Sequence, residues 1–314
     1  MRPPLLLLLT LLTAAAGAAA AAPPKPGLYG RYLLAYGSCD AAGQACREEL
    51  AQSLDGVRWF RVAGFVPRPG QRPVPVRRGN RLYVFDGRSM RRFSVGKSSL
   101  TELAPASLQL DLPDPEQTAD AAAAAPETFS ADVLVDAAGS LVMAYAIRLE
   151  PSTGLCPTQD LACMKIRTAT EVAGSDGTAF TGDPRDRAVL ELGPADAVGT
   201  PSVFRGRSGW VVLLTGPGGC LHELQAGNLR GAYRDAAGLP GGCLAPAPSP
   251  VSSPSGFWNP RLREYWLYGV AEGGLERAVA ARLNAPLPAT RFRLLTGLGA
   301  GRTVAAARFA VNAP

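Results

Sequence analysis

The chain has little lysine, almost no histidine and, after its first two dozen residues, no long apolar run. Lysine occurs only at Lys25, Lys97 and Lys165 and histidine only at His222, in 314 residues. The formal charge of +6 is therefore carried almost wholly by arginine. Most of these arginines are scattered, as a GC-rich coding sequence would scatter them. Nucleic-acid binding favours a basic run with interleaved aromatics, so no nucleic-acid partner is expected. The lack of a later apolar stretch of spanning length excludes a membrane span beyond the N-terminus. No segment sustains the period of a long helix. Residues 46–54 would pass for a turn or two of one, but their place in the repeat described below favours strand.

The first residues do carry a signal. Arg2 is followed by Leu5 to Leu9, Leu11, Leu12 and an alanine run to Ala22. One positive charge, a short apolar stretch and small residues at its end predict a secretory signal peptide over 1–22. The alternative, an uncleaved anchor, fits less well because the strongly apolar part is short for a span. No cysteine follows closely, which argues against a lipoprotein anchor. The remaining 23–314 is expected to be a single exported domain, secreted or periplasmic, and a monomer.

Six cysteines in an exported chain predict disulfides. Zinc sites favour cysteine pairs two to four residues apart, and these pairs are wider, so neither a metal nor any other cofactor is expected. Six cysteines allow fifteen connectivities. Spacing suggests one of them: Cys39 with Cys46, Cys156 with Cys163, and Cys220 with Cys243.

Glycine (35) and proline (28) are abundant and evenly spread, as many short elements joined by turns require. Between the turns one pattern recurs. The instances are Arg31-Tyr-Leu-Leu-Ala-Tyr36, Arg81-Leu-Tyr-Val-Phe85, Ser140-Leu-Val-Met-Ala-Tyr145, Gly209-Trp-Val-Val-Leu-Leu214 and Glu264-Tyr-Trp-Leu-Tyr268. Their starts lie 50, 59, 69 and 55 residues apart. Runs of β-branched and aromatic residues read as strands, and five repeats at this period predict a propeller. A shorter strand precedes most instances (Val74 to Val76, Asp132 to Val135, Ser202 to Phe204) and a third strand follows most of them. Tight turns then lead to a fourth strand: Ser53-Leu-Asp-Gly, Gly174-Ser-Asp-Gly and Gly227-Asn-Leu-Arg-Gly. The expected fold is all-β, a five-bladed β-propeller of four-stranded antiparallel sheets. The first unit lacks an inner strand, so residues 302–311 are expected to supply it and close the ring. The alanine-rich residues 120–126 read as a surface loop.

Thr200-Pro-Ser-Val-Phe204, Gly209-Trp-Val-Val-Leu-Leu214, Cys220-Leu-His-Glu-Leu224 and Asn228-Leu-Arg-Gly-Ala-Tyr233 together resemble the blade grammar of the five-bladed propeller clan of furanose-acting glycoside hydrolases, notably family 43. The turn from Ser53 to Trp59 also resembles the Asp-box of sialidase-type propellers. The first resemblance implies an Asp, an Asp and a Glu near inner-strand starts, facing each other across a sugar. Asp132 is the one match. The corresponding stretches Gln71-Arg-Pro-Val-Pro75, Gly199-Thr-Pro201 and Ser253-Pro-Ser-Gly-Phe257 carry no acid.

Other candidates follow from the residues. Blade two carries seven arginines against Asp86. Arg72, Arg88, Arg91 and Arg92 are expected on the disulfide-bearing rim, where planar guanidinium forks suit an acidic ligand; an ordinary solvated surface is the alternative. Trp258, beside Phe257, offers a platform for a sugar ring or a piece of core. Asp55 and Asp176 are expected to hydrogen-bond their own turns, and His222 to be structural. The leading expectation is a propeller that binds an oligosaccharide or acidic ligand without catalysis. An active glycosidase using Asp132 and a scaffold for another envelope protein are the alternatives.

Overall fold

The computed structural model describes residues 27–40, 45–87, 89–112, 130–193, 196, 199–249, 251–271, 274–295, 298 and 303–312. The segments read as signal peptide (1–22) and alanine-rich loop (120–126), and Arg88, lie outside them. Described strands fall into five sheets. Blade one holds β1 (Tyr32–Cys39), β2 (Cys46–Ser53), β3 (Phe60–Arg61) and β4 (Arg68–Pro69). Blade two runs β5 (Val74–Arg78), β6 (Arg81–Asp86), β7 (Ser89–Val95) and β8 (Leu100–Glu102). Blade three adds an outermost strand, β9 (Gln109–Asp111), to β10 (Ser130–Val135), β11 (Leu141–Leu149), β12 (Ala162–Glu171) and β13 (Ala179–Leu192). Blade four comprises β14 (Ser202–Arg205), β15 (Trp210–Thr215), β16 (Leu221–Ala226), β17 (Arg234–Asp235) and β18 (Cys243–Ala245). Blade five is β19 (Ser252–Asn259), β20 (Glu264–Ala271), β21 (Gly274–Ala280) and β22 (Arg293–Leu294).

The last strand, β23 (Thr303–Val311), pairs antiparallel with β1, from Tyr32 opposite Val311 to Cys39 opposite Thr303. The C-terminal strand is thus the inner strand of blade one, and the ring closes with both chain ends in a single sheet. The molecule is a five-bladed β-propeller, with no α-helix among the described residues.

The strand runs lack polar alternation because both faces of each blade are covered. In β1, Tyr32, Leu34 and Tyr36 pack toward blade five with Trp266 and Tyr268. Leu33 and Ala35 pack the other way, with Leu82 and Val84 of blade two. Successive strand residues point to opposite faces, so a strand sandwiched between neighbours must be apolar throughout. Five apolar clusters follow, one at each junction around the ring.

Turns after the third strand lock neighbours together. The turn at Asp55 and Gly56 leaves blade one for blade five, where the Gly56 carbonyl accepts from Tyr268 Oη (3.1 Å) and Arg277 Nη1 (2.9 Å). Gly56 has φ +73°, and a Cβ there would lie 2.3 Å from the Trp266 ring, so the turn requires glycine. Asp55 holds its own turn, accepting from Val57 N and Arg58 N. Asp176 behaves differently from the sequence expectation. Its carboxylate leaves the turn for blade two and accepts from Tyr83 Oη (2.6 Å) and Arg92 Nη1 (3.1 Å). Across the blade junction those donors are closer to hand than its own turn amides. In blade four the same turn carries Arg230, which donates to Asp136 (3.2 Å) and Thr170 (3.1 Å) of blade three.

Candidate functional site

Inner strands of a propeller are too far apart to share a backbone ladder, so side chains must join them around the axis. Asp132 in β10 accepts from Val133 N (3.0 Å) and, across the junction, from Val203 N (2.7 Å) of β14. Ser202 Oγ accepts from Gly256 N of β19 (3.3 Å), and Ser255 Oγ accepts from Phe309 N of β23 (3.0 Å). Arg308 donates back to four carbonyls, Ser253 (3.0 Å), Pro254 (2.6 Å), Thr200 (3.0 Å) and Pro201 (3.5 Å). Four of the five inner strands are thereby belted together, at the starts of β10 and β14, midway along β19 and toward the end of β23.

Asp132 and Arg308 are both buried. Burial raises the Asp132 pKa, opposed by the Arg308 charge, by the Val203 and Val133 amides and by the Ser202 hydroxyl. Burial likewise lowers that of Arg308, opposed by Asp132. Every polar contact described for the Asp132 carboxylate is a belt contact.

The disulfides lie at the end of the axis where the inner strands begin, Cys39 standing opposite Thr303 at the start of β23. Cys39 is bonded to Cys46, Cys156 to Cys163 and Cys220 to Cys243, the connectivity that spacing suggests. Two of these clip equivalent turns in blades one and three. The third ties the start of β16 to β18.

Beyond the belt the axis widens into a cavity of about 700 Å³. All five inner strands contribute to its wall, and the lining continues into the turns after β14 and β19 at Gly206, Arg207 and Pro260. The cavity therefore opens on the face opposite the disulfides. Its wall is mainly apolar and aromatic, with Val76, Val135, Val203, Trp210, Phe257 and Trp258 prominent. Three arginines reach it, Arg77, Arg205 and Arg207, against one carboxylate, Asp132.

Of the sequence-predicted residues, Asp132 and Trp258 border this cavity. The Trp258 ring, half-buried, sits 4.6 Å from that of Tyr265. Of the blade-two arginines singled out from the sequence, the three that are described have different surroundings. Arg91 is buried between Glu48 and Glu102, with its guanidinium over Phe65 at 4.7 Å and Phe93 at 4.9 Å. Arg92 points to the other face of the sheet and pairs with Asp176. Arg72 is exposed; its backbone amide donates to Asp86 Oδ1 (3.2 Å). The sequence reading set only Asp86 against these arginines, whereas Glu102 of the same blade and Glu48, Glu171 and Asp176 of blades one and three supply the counter-charges.

The sequence did not single out Arg77, Arg308 or Glu223. Arg77 Nε and Nη1 are buried and have no hydrogen-bond partner among the described residues. Glu223, fully buried in β16, holds one hydrogen bond, from Gln225 Nε2 (2.7 Å), and burial pushes its carboxyl up to about 7. His222 sits with Nε2 2.9 Å from Asp235 Oδ1. Cys220, His222 and Cys243 form the one grouping of metal-type ligands among the described residues, and its two sulfurs are bonded to each other.

Comparison with solved structures places this architecture. The inulosucrase from Halalkalicoccus jeotgali bound to kestose is 13% identical, with TM-score 0.51 over 77% of this chain and 76% of that one. The likeness is one of fold. The family 43 glycoside hydrolase YxiA of Bacillus licheniformis (17% identical, TM-score 0.45, 68% and 52% covered) is also similar. So is the endo-1,5-α-L-arabinanase of Thermotoga petrophila (16% identical, TM-score 0.47, 72% and 53% covered). The chain spans about half the length of those last two proteins. No family model matches the sequence, and no curated protein does.

Proposed function

We propose that this protein is an exported, non-catalytic relative of the propeller glycosidases that binds a small ligand in its axial cavity. The observation that carries this reading is the belt. Glycosidase chemistry needs two carboxylates about 5–10 Å apart across the scissile bond, one of them free to donate or accept a proton. Asp132 is the one carboxylate bordering the cavity among the described residues, and its hydrogen bonds hold β14 to β10. The volume beyond the belt suits a small ligand, and its apolar wall with few polar groups is the usual composition of a binding pocket. Three disulfides are compatible with an extracellular location, as the reading of residues 1–22 as a signal requires.

The test is a panel of neutral and acidic oligosaccharides and small carboxylates, measured for binding by calorimetry and for cleavage by reducing-end release. Binding of at least one compound with no cleavage of any is the expected result. Turnover abolished by Asp132→Asn would overturn the reading and restore the hydrolase.

A further inference from the structure

We propose that the axial cavity takes an amphipathic carboxylate, an aromatic or aliphatic body with one anionic head, and that Arg77 is the residue that recognises the head. This rests on the ligand-binding reading and names the ligand class.

Arg77 stands apart from Arg78, Arg91 and Arg92 of the same blade. Arg78 pairs with Glu171, Arg91 with Glu48 and Glu102, and Arg92 with Asp176. Arg77 has no ion pair among the described residues, although its Nε and Nη1 are closed off from solvent. Burial also lowers its pKa, yet a guanidinium remains charged in proteins. Two of its three guanidinium nitrogens are thus buried donors without an acceptor among the described residues, and an anion beside them in the cavity would satisfy both.

The rest of the lining agrees on sign. Arg205 and Arg207 stand exposed where the inner strand of blade four runs into its turn. The single acid, Asp132, lies with the belt and faces the Arg308 charge. An anion entering from the open face meets only positive charge. The walls argue against a sugar as the body of the ligand. A polyol needs many hydrogen-bonding groups, and each hydroxyl buried without one weakens binding. Val76, Val135, Val203, Phe257 and the two tryptophans offer almost none. A flat or extended apolar body fills the same space without that penalty, and a carboxylate matches the planar guanidinium fork.

The two tryptophans make the cavity its own reporter. The experiment titrates the full-length mature chain with 4-phenylbutyrate, its neutral amide 4-phenylbutyramide, and digalacturonate, reading tryptophan fluorescence and calorimetry. The proposal expects 4-phenylbutyrate to bind at least tenfold more tightly than the amide. The preference is expected to survive Arg77→Lys and to vanish in Arg77→Met. Because Arg77→Met removes two buried donors that have no acceptor among the described residues, that variant is expected to melt no lower than the wild type. A lower melting temperature would mark Arg77 as structural and overturn its assigned role. Equal binding of acid and amide, or binding of digalacturonate alone, overturns the ligand class while leaving a binding cavity. Failure of all three probes to bind or perturb the tryptophans removes the axial cavity as a ligand site, and this inference with it.

Discussion

Single side chains decide whether the axis is a catalytic centre or a structural joint. Asp132 stands where the resemblance to family 43 implies an acid, but its oxygens serve backbone amides of two blades. Asp132→Asn is therefore expected to cost about 1–3 kcal/mol, because the amide nitrogen cannot accept and one backbone amide of the belt loses its acceptor. Urea denaturation measures this, and a loss below about 1 kcal/mol would contradict the belt. Glu223 gives a pH-dependent prediction. Its folded pKa is raised to about 7 by burial, against about 4.3 in an unfolded chain. Between these values the native state retains a proton that the unfolded chain has released. Stability from this group is thus fully present below the unfolded value and is lost as pH rises toward 7. Glu223→Gln keeps an acceptor for Gln225. It is expected to match wild type near pH 4 and to be more stable by about 3–4 kcal/mol at pH 8. Melting curves at the two pH values check this, and an equal offset at both would sink it.

Among the elements, the disulfides and the inter-blade turns carry different loads. Cys220–Cys243 closes a loop with a sequence separation of 23, against 7 for each of the other two pairs. Loop-closure entropy then assigns it about 3 kcal/mol, and roughly 2–3 kcal/mol to either short clip. The Cys220→Ser/Cys243→Ser double variant is expected to lose more stability than Cys156→Ser/Cys163→Ser. Chemical denaturation under non-reducing conditions ranks the two. The turn at Gly56 is a harder constraint, since a side chain there meets the Trp266 ring. Gly56→Ala is expected to destabilise by at least 1 kcal/mol through both the positive φ and that contact.

For the molecule as a whole, ring closure is the cooperative event. β23 brings Arg308 and Phe309 to the axis, and the Phe309 ring stacks on Tyr268 at 4.8 Å and 10° and lies 5.0 Å from Phe257. The strand thus joins blades one and five through the apolar cluster at their junction. A chain truncated after residue 302 is expected to lose its single cooperative thermal transition and to expose apolar surface. Calorimetry with dye binding tests this. A truncated chain melting sharply near the wild-type temperature would show that the closing strand is dispensable.

The sequence by itself determined the blades. Five aromatic and aliphatic runs, tight Asp-Gly and Asn turns and an unpaired C-terminal run are local signals, set by backbone preference and side-chain burial within about ten residues. Cysteine spacing likewise suggested three bridges, because each closes a single turn or crossing. Only the tertiary structure decided the charges. Glu48, Glu171 and Asp176 lie far along the chain from the arginines they neutralise, and Arg308 reaches the belt from the opposite terminus. β9, β4 and β18 also escaped the sequence reading, since two or three residues on a sheet edge leave no periodic trace. Radial closure brings distant residues within hydrogen-bond reach, so pairing across blades is written in the geometry of the ring and in no single stretch of chain.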